Sequence, residues 1–79
     1  MARPGGDEIR ATLLRLAHER GRGRSFCPSE AARALSAAGR PLMGEVRRVA
    51  AGMSELRATQ KGAEVDAASA RGPIRLSLR

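Results

Sequence analysis

PSEAARALSAAGRPLMGEVRRVAAGM, residues 28–53, is the stretch of sequence that decides the fold. Proline is favoured at the first position of an α-helix, where its missing N–H costs nothing, so Pro28 and Pro41 each mark a helix start. A short turn containing glycine separates the two helices. The stretch therefore predicts helices over about 28–38 and 42–54, which together form a helix-turn-helix unit.

Apolar side chains recur at helical spacing in both helices, which predicts that each turns one face toward a shared core. On the helix at 42–54, that face consists of Leu42, Met43, Val46, Val49, Ala50 and Met53. On the helix at 28–38, it consists of Ala31, Ala34, Leu35 and Ala38. The second face is made mostly of small side chains, so another helix can cross it closely.

A further helix is expected before this unit. Asp7 and Glu8 stand where acidic residues favour a helix start, because they face the positive end of the helix dipole. An amphipathic pattern follows and ends before Gly21, which predicts a helix over 7–20. Residues 25–27 then suit a short extended stub.

After the unit, the apolar period changes from helical to alternating. This change predicts strands over 56–60 and 74–78, paired as a two-stranded hairpin. Residues 61–73 between them are rich in turn-forming residues and are predicted to be an irregular loop.

The predicted elements make one small α+β domain, mainly α, over residues 7–79, preceded by a flexible lead-in over 1–6. A chain of 79 residues has room for one compact core and no second domain. The residues expected in that core are Leu13, Leu16, Leu35, Val46, Val49, Met53, Leu56, Ile74 and Leu76.

The order helix, stub, helix, helix, strand, loop, strand resembles the winged helix-turn-helix superfamily. The resemblance covers about residues 7–78. It implies a core of three helices followed by a C-terminal β-hairpin, the wing. It also implies that the third helix enters the major groove of DNA.

Four segments carry a closer resemblance, to a small bacterial family of uncharacterised proteins whose second helix starts with Cys-Pro-Ser-Glu. They are Phe26-Cys-Pro-Ser-Glu-Ala-Ala-Arg-Ala-Leu35, Leu42-Met-Gly-Glu-Val-Arg47, Thr59-Gln-Lys-Gly62 and Gly72-Pro-Ile-Arg-Leu76. This resemblance supports the fold and implies no particular activity.

The charge balance points to a polyanion partner. Fifteen Lys and Arg residues against eight Asp and Glu residues give a net charge of +7. Every cation except Lys61 is an arginine, whose planar fork suits phosphates and guanine edges. A GC-rich coding sequence also favours arginine over lysine, but such a bias does not explain the excess of arginine over acidic residues.

Several other classes of protein are disfavoured by the composition. The apolar runs are too short for a transmembrane segment or a secretory signal, and a single cysteine fits a reducing compartment. One histidine and one cysteine do not supply a zinc site. We therefore expect a cytoplasmic protein with no membrane contact, no metal and no cofactor.

The candidate DNA-binding residues lie on the third helix and on the wing. With the apolar stripe turned inward, the remaining side chains of the third helix face outward, where small residues let DNA approach and arginines reach phosphates or guanine. On the wing, basic side chains lie along a backbone or a minor groove. The residues in question are Arg40, Gly44, Arg47, Arg48, Lys61 and Arg71.

Two other functional classes stay open. A cysteine enzyme would need Cys27 exposed and within reach of His18, the only histidine; we expect instead that Cys27 is a buried packing residue beside Phe26, and that the protein is not an enzyme. A protein-interaction domain would leave an apolar patch exposed around Leu14 or Leu78. If the chain forms a homodimer, the first helix is the expected surface.

Overall fold

The fold of the chain was analysed in a computed structural model, which describes residues 5–36 and 40–79. Three helices and four strands follow one another along the chain. They are α1 (Gly6–Arg20), β1 (Ser25–Phe26), α2 (Pro28–Leu35), a single 3-10 turn (Arg40–Leu42), α3 (Met43–Ala51), β2 (Leu56–Gln60), β3 (Ala63–Val65) and β4 (Arg75–Leu78). The predicted α+β class and the three helices are confirmed.

The start of α2 is tied to the end of α1. Pro28 occupies the first turn of α2, as predicted, and the backbone N–H of Cys27 donates to Glu30 Oε2 at 3.1 Å. The other carboxylate oxygen of Glu30 accepts a hydrogen bond from Arg20 in the last turn of α1. One carboxylate therefore caps the start of α2 and links it to the last turn of α1.

The four strands form one antiparallel sheet in the order β1-β4-β2-β3. Phe26 pairs with Leu76, and Leu76 pairs with Ala58, so the three side chains form one row across the sheet. All three are buried, and α1 contacts β1 and β4 on this side. Because side chains alternate along a strand, Ser25, Ser77 and the other residues of opposite parity turn to the outer face of the sheet.

The core contains most of the residues that the sequence predicted. Leu13, Val46 and Leu76 are at most 1% exposed, whereas Leu35 and Val49 are half-buried and pack against the edge of the core. The remaining predicted core residues, Leu16, Met53, Leu56 and Ile74, are buried.

The inward face of α2 was predicted incorrectly. Ala34 is exposed, and Ala32 is completely buried in its place. The helix ends at Leu35, where Ser36 adopts an extended backbone, instead of reaching residue 38. The early end shortens the face, and the buried residues of α2 are Pro28, Ala31 and Ala32, so Ala31 is the one fully buried member of the predicted face among the described residues. Ala38 lies outside the described residues, as do residues 1–4 of the predicted lead-in.

The predicted pairing of the strands near 56–60 and 74–78 is confirmed, but these two strands belong to a four-stranded sheet and not to an isolated hairpin. Residues 56–60 do pair with the last strand, but β3 lies within the segment expected to be an irregular loop and pairs with β2 on the opposite edge. Lys61 and Gly62 both have positive φ, 52° and 85°, and connect Gln60 to Ala63 in a two-residue hairpin turn.

In the part of the chain that the structure describes, no helix has both the length and the apolar character needed to cross a membrane.

Two neighbouring leucines of α1 test the assignment of the core. Leu13 is 0% exposed and Leu14 is half-buried at the edge. We expect Leu13→Ala to lower the free energy of unfolding by about 2–5 kcal/mol, because it opens a cavity in the core, and Leu14→Ala to cost clearly less. Urea denaturation measures both, and equal losses would contradict this packing.

Candidate nucleic-acid interface

The exposed face of α3 carries three of the residues that were expected to point outward. Gly44, Arg48 and Ala51 are exposed, and Glu45 is half-buried. A Cβ added at Gly44 would meet nothing within 4 Å, so the helix surface is open there. Two small residues flanking one arginine leave room for a phosphate backbone to approach the helix axis. Arg40 begins the 3-10 turn before α3, and its side chain lies outside the part of the chain that the structure describes.

Arg47 has a different environment from the one predicted. Its Nε donates to the carbonyl oxygen of Ala67 at 3.0 Å, and its terminal nitrogen donates to that of Ala70 at 2.6 Å. The guanidinium is half-buried against the segment after β3. Two of its nitrogens donate to backbone carbonyls, so one planar charged group satisfies two acceptors within the fold. These nitrogens are not free for a partner.

The segment between β3 and β4, residues 66–73, is ordered by hydrogen bonds at several points. Asp66 Oδ2 accepts from the Ser69 hydroxyl at 2.7 Å and from the Ser69 N–H at 3.1 Å, which closes a turn. Ala67 is buried against the core. Gln60 on β2 donates to the carbonyl of Arg71 and, at 3.2 Å, to that of Pro73. We call residues 66–73 the tethered loop.

The two predicted cations of the wing are on different structural features. Lys61 is exposed in the turn between β2 and β3, and Arg71 is exposed near the end of the tethered loop. Since Arg47 holds this loop to α3 and Gln60 holds it to β2, the position of the Arg71 backbone is fixed relative to both elements.

Ion pairing divides the cations into two groups. Arg10, Arg15 and Arg20 pair with carboxylates on or near α1, and Arg57 and Arg79 both pair with Glu64. The hydrogen bond from Arg79, followed by the nearby charges, lowers the pKa of Glu64. Within residues 5–36 and 40–79, the cations whose side chains have neither an ion pair nor a hydrogen bond are Arg22, Arg24, Arg33, Arg48, Lys61 and Arg71.

Cys27 is half-buried, so the prediction that it is a buried packing residue is wrong. It precedes the buried Pro28, and its sulfur accepts a hydrogen bond from Arg75 at 2.9 Å. Arg75 also binds the hydroxyl and the carbonyl of Ser25, at 3.0 Å each, and so fastens β1 to β4. His18 is exposed on α1, and the described residues include no hydrogen bond between it and Cys27.

The apolar positions suggested for a protein partner are in contact with the core. Leu14 and Leu78 are half-buried and pack against the core cluster.

Among the described residues, no group of three or more His, Cys, Asp or Glu side chains is arranged to hold a metal ion.

Sequence reasoning missed the residues that position the loop. Gln60 was assigned only to an alternating strand pattern, and Arg47 only to an outward helix face. A polar residue on the inward parity of a strand, as Gln60 is, signals a side chain that needs a buried or local partner. No comparable signal in the sequence identifies the carbonyls that Arg47 binds.

The tether can be tested by removing the same charge at adjacent positions of α3. We expect Arg47→Gln to lower stability by about 1 kcal/mol and to speed amide hydrogen exchange in the tethered loop, because two charge-assisted hydrogen bonds are lost. Arg48→Gln is the control, since Arg48 is exposed and unpaired in the described structure. Similar exchange rates in both variants would mean that Arg47 does not hold the loop.

Comparison with known proteins identifies one family. The model of a family described as "Protein of unknown function (DUF3253)" matches residues 6–79, which is almost the whole chain. The expectation of an uncharacterised family is confirmed. No curated protein matches the chain.

Proposed function

The chain belongs to this family of unknown function, and we propose from its own residues that it is a winged helix-turn-helix module that binds duplex DNA. In this proposal α3 is the recognition helix. The hairpin turn at Lys61 and the tethered loop with Arg71 together form the wing.

The order of the elements supports the winged-helix assignment. A short β1 between α1 and α2 pairs with the last strand, and β2 after α3 pairs with the other edge of that strand. α1 contacts β1 and β4, α3 contacts β2, and α2 packs against both of these helices. In this proposal the segment between β2 and β4, which contains the hairpin turn and the tethered loop, takes the place of the wing.

The observation that carries the DNA proposal is the distribution of unpaired cations. Of the predicted site residues, Arg48, Lys61 and Arg71 are exposed and have no acidic partner among the described residues. The cations of α1 are instead neutralised by Glu55, Glu19 and Glu30. Three of the six cations whose side chains have no partner among the described residues are thus predicted site residues, and none of the six lies on α1, which supports a polyanion partner for this surface.

The tether gives α3 and the wing a common geometry. Arg47 binds the carbonyls of Ala67 and Ala70 and so holds this segment to α3. Arg71 is the next residue after Ala70. A phosphate backbone lying along Gly44 and Arg48 would thus meet a loop of defined position, and little conformational entropy would be lost on binding. In this role Arg47 positions the wing, while Arg48, Lys61 and Arg71 contact phosphates.

Salt dependence tests the proposal. If about four phosphates are contacted, raising the salt from about 50 to about 200 mM should weaken duplex binding roughly 100-fold. We expect Arg48→Gln combined with Arg71→Gln to lower affinity and to reduce the salt slope by about half, because two of the four contacts are removed. Fluorescence anisotropy of a labelled duplex measures both quantities.

The matched control is Arg10→Gln combined with Arg15→Gln, which also lowers the net charge from +7 to +5. Both residues lie on α1 and are ion-paired, so the salt slope should stay near that of the wild type. Equal effects of the two double variants would indicate diffuse attraction without a defined site. If the wild type does not bind duplex DNA at about 50 mM salt, the DNA proposal is rejected and a protein-interaction domain is the better hypothesis.

A further inference from the structure

The outer face of the sheet, opposite the helices, contains a second group of arginines. The turn between α1 and β1 lies beside the ends of β2 and β4, and a groove of about 470 Å³ separates them. Its lining includes four arginines, Arg22, Arg24, Arg57 and Arg79. A groove of this volume is in the range of pockets that hold small ligands.

The turn brings Arg22 and Arg24 to the groove by its backbone conformation. Gly21 and Gly23 both have positive φ, 87° and 88°, and the N–H of Arg24 donates to the carbonyl of Gly21 at 3.2 Å. The side chains of Arg22 and Arg24 have no hydrogen bond or ion pair in the described part of the chain. The tight turn therefore places two arginines with unpaired side chains at one wall of the groove.

The opposite wall supplies two arginines that share a single carboxylate. Arg79 donates to Glu64 Oε2 at 2.8 Å, and Arg57 lies 3.5 Å from Glu64 Oε1. Four guanidinium groups against one carboxylate leave a local charge of about +3. Arg57 and Arg79 are each 46% exposed, so both remain accessible to a ligand.

Hydroxyl groups complete the lining and define the class of ligand. Ser25, Thr59 and Ser77 line the groove with the arginines and provide neutral hydrogen-bond donors. The Ser25 hydroxyl oxygen already accepts from Arg75 at 3.0 Å, so its own proton is available for donation. The groove contains no aromatic side chain that could stack on a base. Guanidinium and hydroxyl donors without a stacking surface suit phosphate oxygens.

From these contacts we infer that the groove is a binding site for linked phosphate groups, separate from α3 and the wing. Arg22 and Arg24 hold one phosphate from the turn, and Arg57 and Arg79 hold a neighbouring phosphate from the sheet. Glu64 competes for this second pair, so a ligand must displace it. The inference does not depend on the DNA proposal, because the two sites share no residue.

Titration of the intact protein with tripolyphosphate, followed in ¹H–¹⁵N NMR spectra at about 50 mM salt, tests the site directly. We expect saturable shifts at Arg22–Arg24, at Arg57–Thr59 and at Ser77–Arg79, and none of similar size in α3. Absence of saturation at about 10 mM tripolyphosphate, or shifts of equal size in α3, would overturn the inference.

Charge-matched variants separate the groove from general attraction. Arg22→Gln combined with Arg24→Gln should weaken tripolyphosphate binding about tenfold, because two charge-assisted contacts are lost. These side chains have no partner within the described residues, so the fold should be unchanged and the spectrum verifies this. Arg10→Gln combined with Arg15→Gln should change the affinity by less than about twofold, since those residues lie on α1. Equal losses would overturn the inference.

The competing carboxylate gives a test in the opposite direction. Glu64→Gln should tighten tripolyphosphate binding about threefold, because Arg57 and Arg79 no longer have an acidic partner. Glu19→Gln raises the net charge by the same amount on α1 and should leave the affinity unchanged. A similar gain in both variants would contradict a role for Glu64.

The source of the phosphates is settled by competition. If a short DNA duplex reverses the tripolyphosphate shifts in the groove of the wild type, the ligand is a nucleic-acid backbone. If the shifts persist while the duplex shifts only α3 and the wing, the ligand is a free oligophosphate. Either outcome keeps the site. If the duplex binds nowhere while tripolyphosphate saturates the groove, the DNA proposal fails and the phosphate site stands.

Discussion

The structure depends on the placement of β4 between β1 and β2. The strand comes from the last residues of the chain, and its Leu76 lies between Phe26 from the first third and Ala58 from the middle. All three are buried in one row beneath the helices. Without this row, β1 would be an isolated pair of residues and β2 a strand with a single neighbour. β4 therefore joins a strand that precedes α2 to a strand that follows α3.

The same placement determines which charges remain free. This placement brings Arg75 beside Ser25, 50 residues away in the sequence, and Arg79 beside Glu64, 15 residues away. With Glu55 beside Arg10 and Glu30 beside Arg20, most of the glutamates are used in structural pairs. Because basic residues outnumber acidic ones fifteen to eight, the surplus must appear as unpaired arginines on the surface. Within the described residues, this surplus lies on α2, on α3, in the turn at Lys61, in the tethered loop and in the turn before β1.

The helices and the core were readable from the sequence because they follow local rules. Proline at the helix starts and apolar residues at helical spacing identified α1, α2 and α3, and alternation identified β2 and β4. The errors were at features that have only weak local signals. The strand Ala63–Val65 is three residues long and largely exposed, so it lacks a clear pattern of burial. Ala34 and Ala32 carry the same side chain, so residue type does not distinguish the buried one, and only the tertiary packing of α2 does.

The candidate site was predictable in outline and not in its contacts. Arg48, Lys61 and Arg71 are exposed, the first on the polar side of a helix and the other two in a turn and a loop. The sequence predicted the exposure of all three. Arg47 stands next to Arg48 and looks equivalent in the sequence. Its partners, however, are carbonyls some twenty residues away, and backbone carbonyls leave no signature in the residue types. The role of Arg47 is therefore determined by its tertiary contacts with a distant loop and not by its position in the sequence.

Arginine and lysine are not equivalent at the structural positions. Arg47 uses two nitrogens to bind two different carbonyls, and Arg75 binds the hydroxyl and carbonyl of Ser25 together with the sulfur of Cys27. A lysine ammonium is a single point that cannot span such separate acceptors with a planar fork. At these positions the contacts themselves explain arginine. The side chains of Arg22, Arg24 and Arg48 make no such contacts within the described residues. Their guanidinium groups would donate to two acceptors at once only if a ligand supplied those acceptors.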